Sequence, residues 1–213
     1  AARSKNDWVK VFVDTLVAKL NSYIPGPFGI GVGDASGVLV VAKTKNYDVL
    51  RAQEIASACK WHAGIVFMAI IEDGLLDFDG LASDYLDFWT TDASDPRSKV
   101  RVRHLLQFTS GFGNYIQRFH YGCIGEPTYT FGSCAQKIYN TAYGGFALGV
   151  QPGTRFWYDH THTEIMAAIA EKVTGKPWRQ LYREKVADKL GIRIAANGTN
   201  GWGYDHPDVG RIL

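Results

Sequence analysis

Residues 53–74 read QEIASACKWHAGIVFMAIIEDG, and this stretch decides the fold. It opens on small and polar residues, turns apolar from Ala63 to Ile71, and stops at Gly74. A run of that length, closed by a glycine able to adopt the left-handed conformation, predicts a helix from about Ser57 to Asp73. Because it is apolar on every side, it is expected to be surrounded by protein as the central helix. Yet Ser57 and Lys60 stand at its start, three residues apart and so on one face.

Upstream, Asn6 and Asp7 are candidate caps for a first helix, whose Trp8, Phe12, Leu16 and Leu20 recur at every fourth position. After NSYIPGP come two β-like runs, FGIGVG and GVLVVA, joined by DAS ahead of Gly37, the pattern of a tight hairpin. Two strands alone are marginal, so partners are expected. Downstream, LASDYLDFW and VRVRHLLQF read as short helices, and TSGFGN breaks the chain. Residues 111–153, rich in glycine and aromatics without a period, read as a long ordered loop. HTEIMAAIAEKVTG and PWRQLYREKVADKLG read as helices closed by Gly175 and Gly191, the second opened by Pro177. No internal repeat is visible.

Composition narrows the class. The 213 residues are 46% hydrophobic and 21% charged, the profile of one soluble domain with a sizeable core. A net charge of +2, with the basic residues scattered, argues against nucleic acid as a partner. The longest apolar run is about half of what a bilayer span needs, and AARSKNDW contains no apolar signal core. The chain starts without Met, so a removed leader is one expectation. Of three cysteines, Cys123 and Cys134 flank a glycine-rich segment; a bridge there would staple it and indicate an oxidising compartment, with two thiols as the equal alternative. Cys59 reads as a small buried hydrophobe. The sequon Asn197-Gly198-Thr199 agrees with export.

The Ser57 and Lys60 pair carries the chemistry. A serine hydroxyl attacks a carbonyl only when a base takes its proton, and a lysine amine serves as that base when burial or a neighbouring cation lowers its pKa. A helix N-terminus adds N–H groups that polarise a carbonyl. The bland alternative is a snorkelling lysine at a helix start. HTHTE, residues 160–164, has the alternation by which His160 and His162 would bind zinc from a strand, but no third ligand follows and a metal site is not expected. His62, His104, His120 and His206 lack ligand spacing. Phe156 and Trp157 read as packing, and Asp73, Asp77 and Asp79 as a solvated turn.

The segments IASACKWHAGIVFMAIIEDGLLDFDG, VRVRHLLQFTSGFG and PGTRFWYDHTHTEIMAAIAEKVTGKPW…EKVADKLGI resemble the serine β-lactamase and penicillin-binding-protein superfamily, nearest its class C-like esterases and D-amino-acid peptidases. The similarity runs from about Pro25 to Ile192. It implies an α+β fold, an antiparallel sheet flanked by helices plus a helical subdomain. It also implies that Ser57 is acylated, that Lys60 accepts its proton, and that Tyr158 of YDH shares that proton. His160 stands where the family has Asn or Ser, at a position that binds substrate. A neutral imidazole accepts one hydrogen bond there but does not offer donor and acceptor together as an amide does.

A third family motif, Lys-Thr-Gly or similar on a sheet strand, is not found before Leu213; VTGK at 173–176 sits at a helix end and is not a match. The 213 residues are therefore expected to form one β-lactamase-related domain with an incomplete sheet, completed by a second polypeptide, a further C-terminal part or a homo-oligomer. The expected function is a serine hydrolase cleaving an ester or amide (a β-lactam, carboxylester or D-amino-acid peptide) through an acyl-enzyme. The alternative is an inactive relative used for binding or assembly. The partner is a small-molecule or peptide substrate, no cofactor is required, and the compartment leans towards export.

Overall fold

The computed structural model describes residues 5–44, 46–48, 55–112, 122–123, 128–141 and 150–191. The sequon, His120, His206 and the chain beyond Gly191 lie outside the described residues. Two compact units divide the chain, Ala1–Gln53 and Glu54–Leu213.

In the first unit, α1 (Lys5–Leu20) is followed by β1 (Gly29–Asp34) and β2 (Gly37–Lys43). The helix already runs at Lys5, so Asp7 falls inside its first turn, where a carboxylate suits the dipole, and is not a cap preceding it. The inward face is also not the expected one. Trp8 and Phe12 are exposed, while Val13 is fully buried and Val9, Leu16, Val17 and Leu20 are partly covered. That second set has the spacing of one helix face, and α1 packs across β2 with it. The hairpin is antiparallel, with Gly29 opposite Lys43 and Asp34 opposite Gly37, and its register shifts between Val32 and Gly33. Asp34 shapes the turn by accepting hydrogen bonds from the Ser36 N–H (2.8 Å) and hydroxyl (2.5 Å). A Cβ at Gly33 would lie 2.9 Å from the Gly37 carbonyl oxygen, so glycine is required there. Among the described residues these two strands are the whole sheet.

The second unit is helical. A 3-10 turn, Ala56–Ala58, leads into α2 (Cys59–Glu72). The expectation that α2 is covered on all sides is corrected: Ala63, Val66, Phe67 and Ile70 are buried, but Trp61 (79%), Ile65 (41%) and Met68 (52%) are exposed. Those three share one helix face at steps of four and three. The helix enclosed on every side is instead α5 (His160–Thr174), in which every residue from Thr161 to Ala170 is buried. Asp159 caps it by accepting the Thr161 N–H at 2.9 Å, and Gly175, at φ 65°, closes it. Its Ala167, Ala168 and Ala170 let α2, α3 (Val102–Leu106), α4 (Phe131–Asn140) and α6 (Trp178–Tyr182) approach it.

Three further expectations change. LASDYLDFW holds only a 3-10 turn, Ala82–Asp84, because the Asp84 carboxylate turns back to accept the Leu81 N–H at 2.8 Å. The segment expected to be a loop contains α4, which buries Phe131, Cys134, Ala135, Ile138 and Tyr139 on one face and is capped by Thr130. The last helix is interrupted, α6 passing through a π-helical turn, Arg183–Ala187, into α7 (Asp188–Leu190). Cys123 and Cys134 are disulfide-bonded and both fully buried, tying the segment before α4 to that helix. Phe67 meets Trp178 at 5.2 Å between ring centroids, and Trp89 meets Tyr139 at 4.8 Å. Each such buried apolar side chain contributes about 1.5–3 kcal/mol. The acidic turn after α2 is exposed but paired: Asp73 with Lys185 and Asp79 with Arg103.

Candidate active site

Ser57 is the middle residue of the 3-10 turn that delivers the chain into α2, and it is exposed. Ala58 makes no side-chain cap to the following helix, and its N–H returns to the Ile55 carbonyl at 2.9 Å, closing the turn. Lys60, the second residue of α2, is half-buried and points back, its Nζ donating to Ser57 Oγ at 3.3 Å. The one-face geometry expected from the sequence is therefore present, although Ser57 precedes the α-helix instead of starting it.

Tyr158 joins them by its ring. Lys60 Nζ lies over that ring, 5.3 Å from its centroid. This is a cation–π contact. Among the described residues the Tyr158 hydroxyl makes no hydrogen bond to Ser57 or Lys60, so the phenol approaches the lysine by its face. Tyr158 is about half exposed (51%) and stacks on Phe108 at 5.3 Å and 20°. His160 is the first residue of α5; its carbonyl accepts the Thr163 hydroxyl at 2.8 Å. The structure thus gathers Ser57, Lys60 and Tyr158, with His160 two residues further along.

Other groups, outside the expected set, hold Tyr158 in place. The Trp157 N–H donates to the Phe108 carbonyl at 2.7 Å. His162, fully buried, reaches the Trp157 carbonyl with Nε2 at 2.9 Å and Ser110 Oγ with Nδ1 at 3.0 Å. Burial pushes the His162 imidazole down to about 4, against opposing pulls from Asp159 and the Trp157 carbonyl. The strand-like spacing that would let His160 and His162 share a zinc ion is absent, because residues 160–164 are helical. No cluster of three or more His, Cys, Asp or Glu suited to a metal occurs among the described residues.

A family model described as Beta-lactamase matches residues 29–199. The chain belongs to the beta-lactamase family. Its fold is that of the family, here a short antiparallel two-strand sheet with helices. A candidate beta-lactamase from Bacteroides dorei superposes with a TM-score of 0.66 at 24% identity, over 92% of this chain and 57% of that one. EstCE1, a hydrolase with promiscuous acyltransferase activity, gives 0.66 at 21% identity, over 88% and 53%. The octameric penicillin-binding protein homologue from Pyrococcus abyssi gives 0.58 at 22%, over 89% and 44%. The chain therefore spans about half the length of these solved structures. No helix among the described residues is long and apolar enough to cross a membrane.

Proposed function

We propose that this protein is a serine hydrolase that cleaves an ester or amide through an acyl-enzyme on Ser57. The observation that carries the reading is the 3.3 Å approach of Lys60 Nζ to Ser57 Oγ beside the Tyr158 ring. In the proposed step a neutral Lys60 amine takes the Ser57 proton while Oγ bonds to the substrate carbonyl carbon. The tetrahedral intermediate then collapses, the bond to the leaving group breaks, and that group leaves with the proton. Water, deprotonated by the same amine, adds to the acyl carbon; the bond from that carbon to Ser57 Oγ then breaks, Oγ takes the proton back from Lys60, and the acid leaves. Tyr158 shares the proton by turning its hydroxyl towards Lys60, a movement its half-exposed position permits. His160, two residues beyond Tyr158, is the proposed hydrogen-bonding group for a substrate carbonyl or amide. The description of EstCE1 as a hydrolase with promiscuous acyltransferase activity supports acyl-transfer chemistry, and small carboxylesters are the first substrates to offer.

The second reading is an inactive relative used for binding or assembly. It is favoured by the ring-face contact of Tyr158 with Lys60 and by an imidazole at His160. Assembly draws further support from the exposed Trp61, Ile65 and Met68 and from a sheet of two strands among the described residues; a second polypeptide or a second copy is the proposed occupant. The buried disulfide supports an exported compartment.

A fluorophosphonate or penicillin-type probe separates the two. Covalent labelling of the folded protein that disappears in Ser57→Ala supports the hydrolase. Absence of labelling in a folded sample that contains any partner strands overturns it.

A further inference from the structure

Groups from two segments, Phe108 to Phe112 and Trp157 to His162, form one directional chain of hydrogen bonds beside Tyr158. A carbonyl only accepts, so the 2.9 Å contact to Trp157 requires the proton to sit on His162 Nε2. Nδ1 of the neutral ring is then bare, and the buried Ser110 hydroxyl at 3.0 Å must donate to it. Ser110 Oγ in turn accepts the Phe112 N–H at 3.2 Å. The path returns through the Trp157 N–H, which donates to the Phe108 carbonyl at 2.7 Å. Residues 108–112 and 157–162 are thereby clamped together at both ends.

The clamp holds a strained residue. Phe108, at φ 58°, is the one non-glycine residue with positive φ among the described residues. Such a conformation persists only where the surroundings over-determine it. Its ring rests 5.0 Å from the His162 ring on one side of the arrangement and stacks on Tyr158 at 5.3 Å on another. The result is a shelf for the tyrosine over which Lys60 lies.

We propose that His162, as the neutral Nε2–H tautomer bonded to Ser110 and the Trp157 carbonyl, is a positioning residue that sets the Phe108 shelf and so the placement of Tyr158 against Lys60. The kinetic part of this rests on the hydrolase reading of Ser57; the structural part does not. His162 touches no substrate and transfers no proton. Its low affinity for protons keeps the donor and acceptor ends of the clamp unchanged across neutral and mildly acidic pH.

Two substitutions each keep one arm. Glutamine at 162 carries its amide N–H out to the place of Nε2 and preserves donation to Trp157; asparagine places an oxygen near Nδ1 and preserves acceptance from Ser110. His162→Asn is expected to lower the rate of Ser57 acylation by about tenfold to a hundredfold, as a misplaced catalytic group does, with KM little changed and His162→Gln near wild type. Ile138→Ala, in the buried face of α4, is the control: it lowers the melting temperature without altering the acylation rate of the folded protein. The second readout needs no activity. The Tyr158 ring resonance in ¹³C-tyrosine-labelled protein, assigned by Tyr158→Phe, should carry a ring-current shift from Phe108, lose it in His162→Asn and keep it in His162→Gln. If wild type is not acylated at Ser57, the hydrolase reading falls and this resonance alone decides the positioning. An unmoved Tyr158 resonance in folded His162→Asn overturns the proposal, as does loss of melting temperature with no change in acylation. Should His162→Asn not fold, ¹⁵N-histidine spectra of wild type decide: a proton on Nδ1 in place of Nε2 overturns the clamp.

Discussion

His162 makes the stability of the protein depend on pH in a calculable way. The folded state holds the imidazole near 4, against an ordinary 6.5, with burial as the largest cause. The unfolded chain therefore binds a proton between those two values that the folded chain refuses, and stability rises with pH across the window. The contribution is fully present above about pH 6.5 and is lost progressively as pH falls towards 4. The gap between 6.5 and about 4, at about 1.36 kcal/mol per pH unit, amounts to about 3 kcal/mol. Urea unfolding at intervals from pH 7 to pH 4.5 measures it, since the midpoint falls in proportion to stability at constant slope. His104, which burial and its neighbours Arg103 and Arg101 also push down, adds to the loss in the same direction. Asp92, Asp95 and Glu184, whose hydrogen bonds hold their carboxyls low, contribute at the acid end. All four remain in His162→Gln, so the difference between the two proteins isolates the imidazole. Wild type should lose about 2 kcal/mol more than His162→Gln between pH 6.5 and pH 4.5. Parallel pH profiles for the two proteins would refute the buried neutral imidazole.

Two other outcomes follow from the fold. Reducing the Cys123–Cys134 bridge, which closes a loop with a sequence separation of 11, should cost about 3 kcal/mol by loop entropy and lower the melting temperature in dithiothreitol; an unchanged melt would mean that α4 orders its leading segment unaided. Trp61→Ser, on the exposed face of α2, should change unfolding stability by less than about 0.5 kcal/mol while reducing self-association in sedimentation; a large loss of stability would mean that this face is covered in the isolated protein.

How far the sequence led depended on whether a feature was local. The hairpin was legible because alternation, a short turn and Gly37 are all carried by neighbours in the chain. The ends of α5 and of the last helix were legible for the same reason, Gly175 and Gly191 adopting the left-handed conformation at each close. Apolarity is not enclosure, and so the sequence points to α2 as the enclosed helix while the structure encloses α5. In α2 the residues Trp61, Ile65 and Met68 are apolar and exposed, whereas α5 carries Thr161, His162, Thr163 and Glu164 into the interior. Small side chains and the hydrogen-bonded Thr161, His162 and Thr163, not mean hydropathy, made α5 the centre. The helix α4 was missed among aromatic and glycine residues, yet Phe131, Cys134, Ala135, Ile138 and Tyr139 recur with the helical period and Thr130 precedes them as a cap.

The site divides along the same line. Ser57 and Lys60 are three apart, so helical geometry alone brings them together, and the 3.3 Å contact needed no knowledge of the remaining chain. Tyr158 is about a hundred residues away and was placed by resemblance. Nothing in its neighbours states whether it offers Lys60 its hydroxyl or its face. The position of its ring depends on Phe108, Ser110 and His162; the Ser110–His162 bond spans 52 residues, and the strained Phe108 is not a glycine. A buried imidazole between a hydroxyl donor and a carbonyl acceptor looks, in one dimension, like half of a metal motif. Only the carbonyl fixes its tautomer, and only the tautomer fixes which way Ser110 must point. The orientation of the tyrosine is therefore a property of the packed interior, and it will respond to substitutions such as Ser110→Ala that lie outside every recognisable motif.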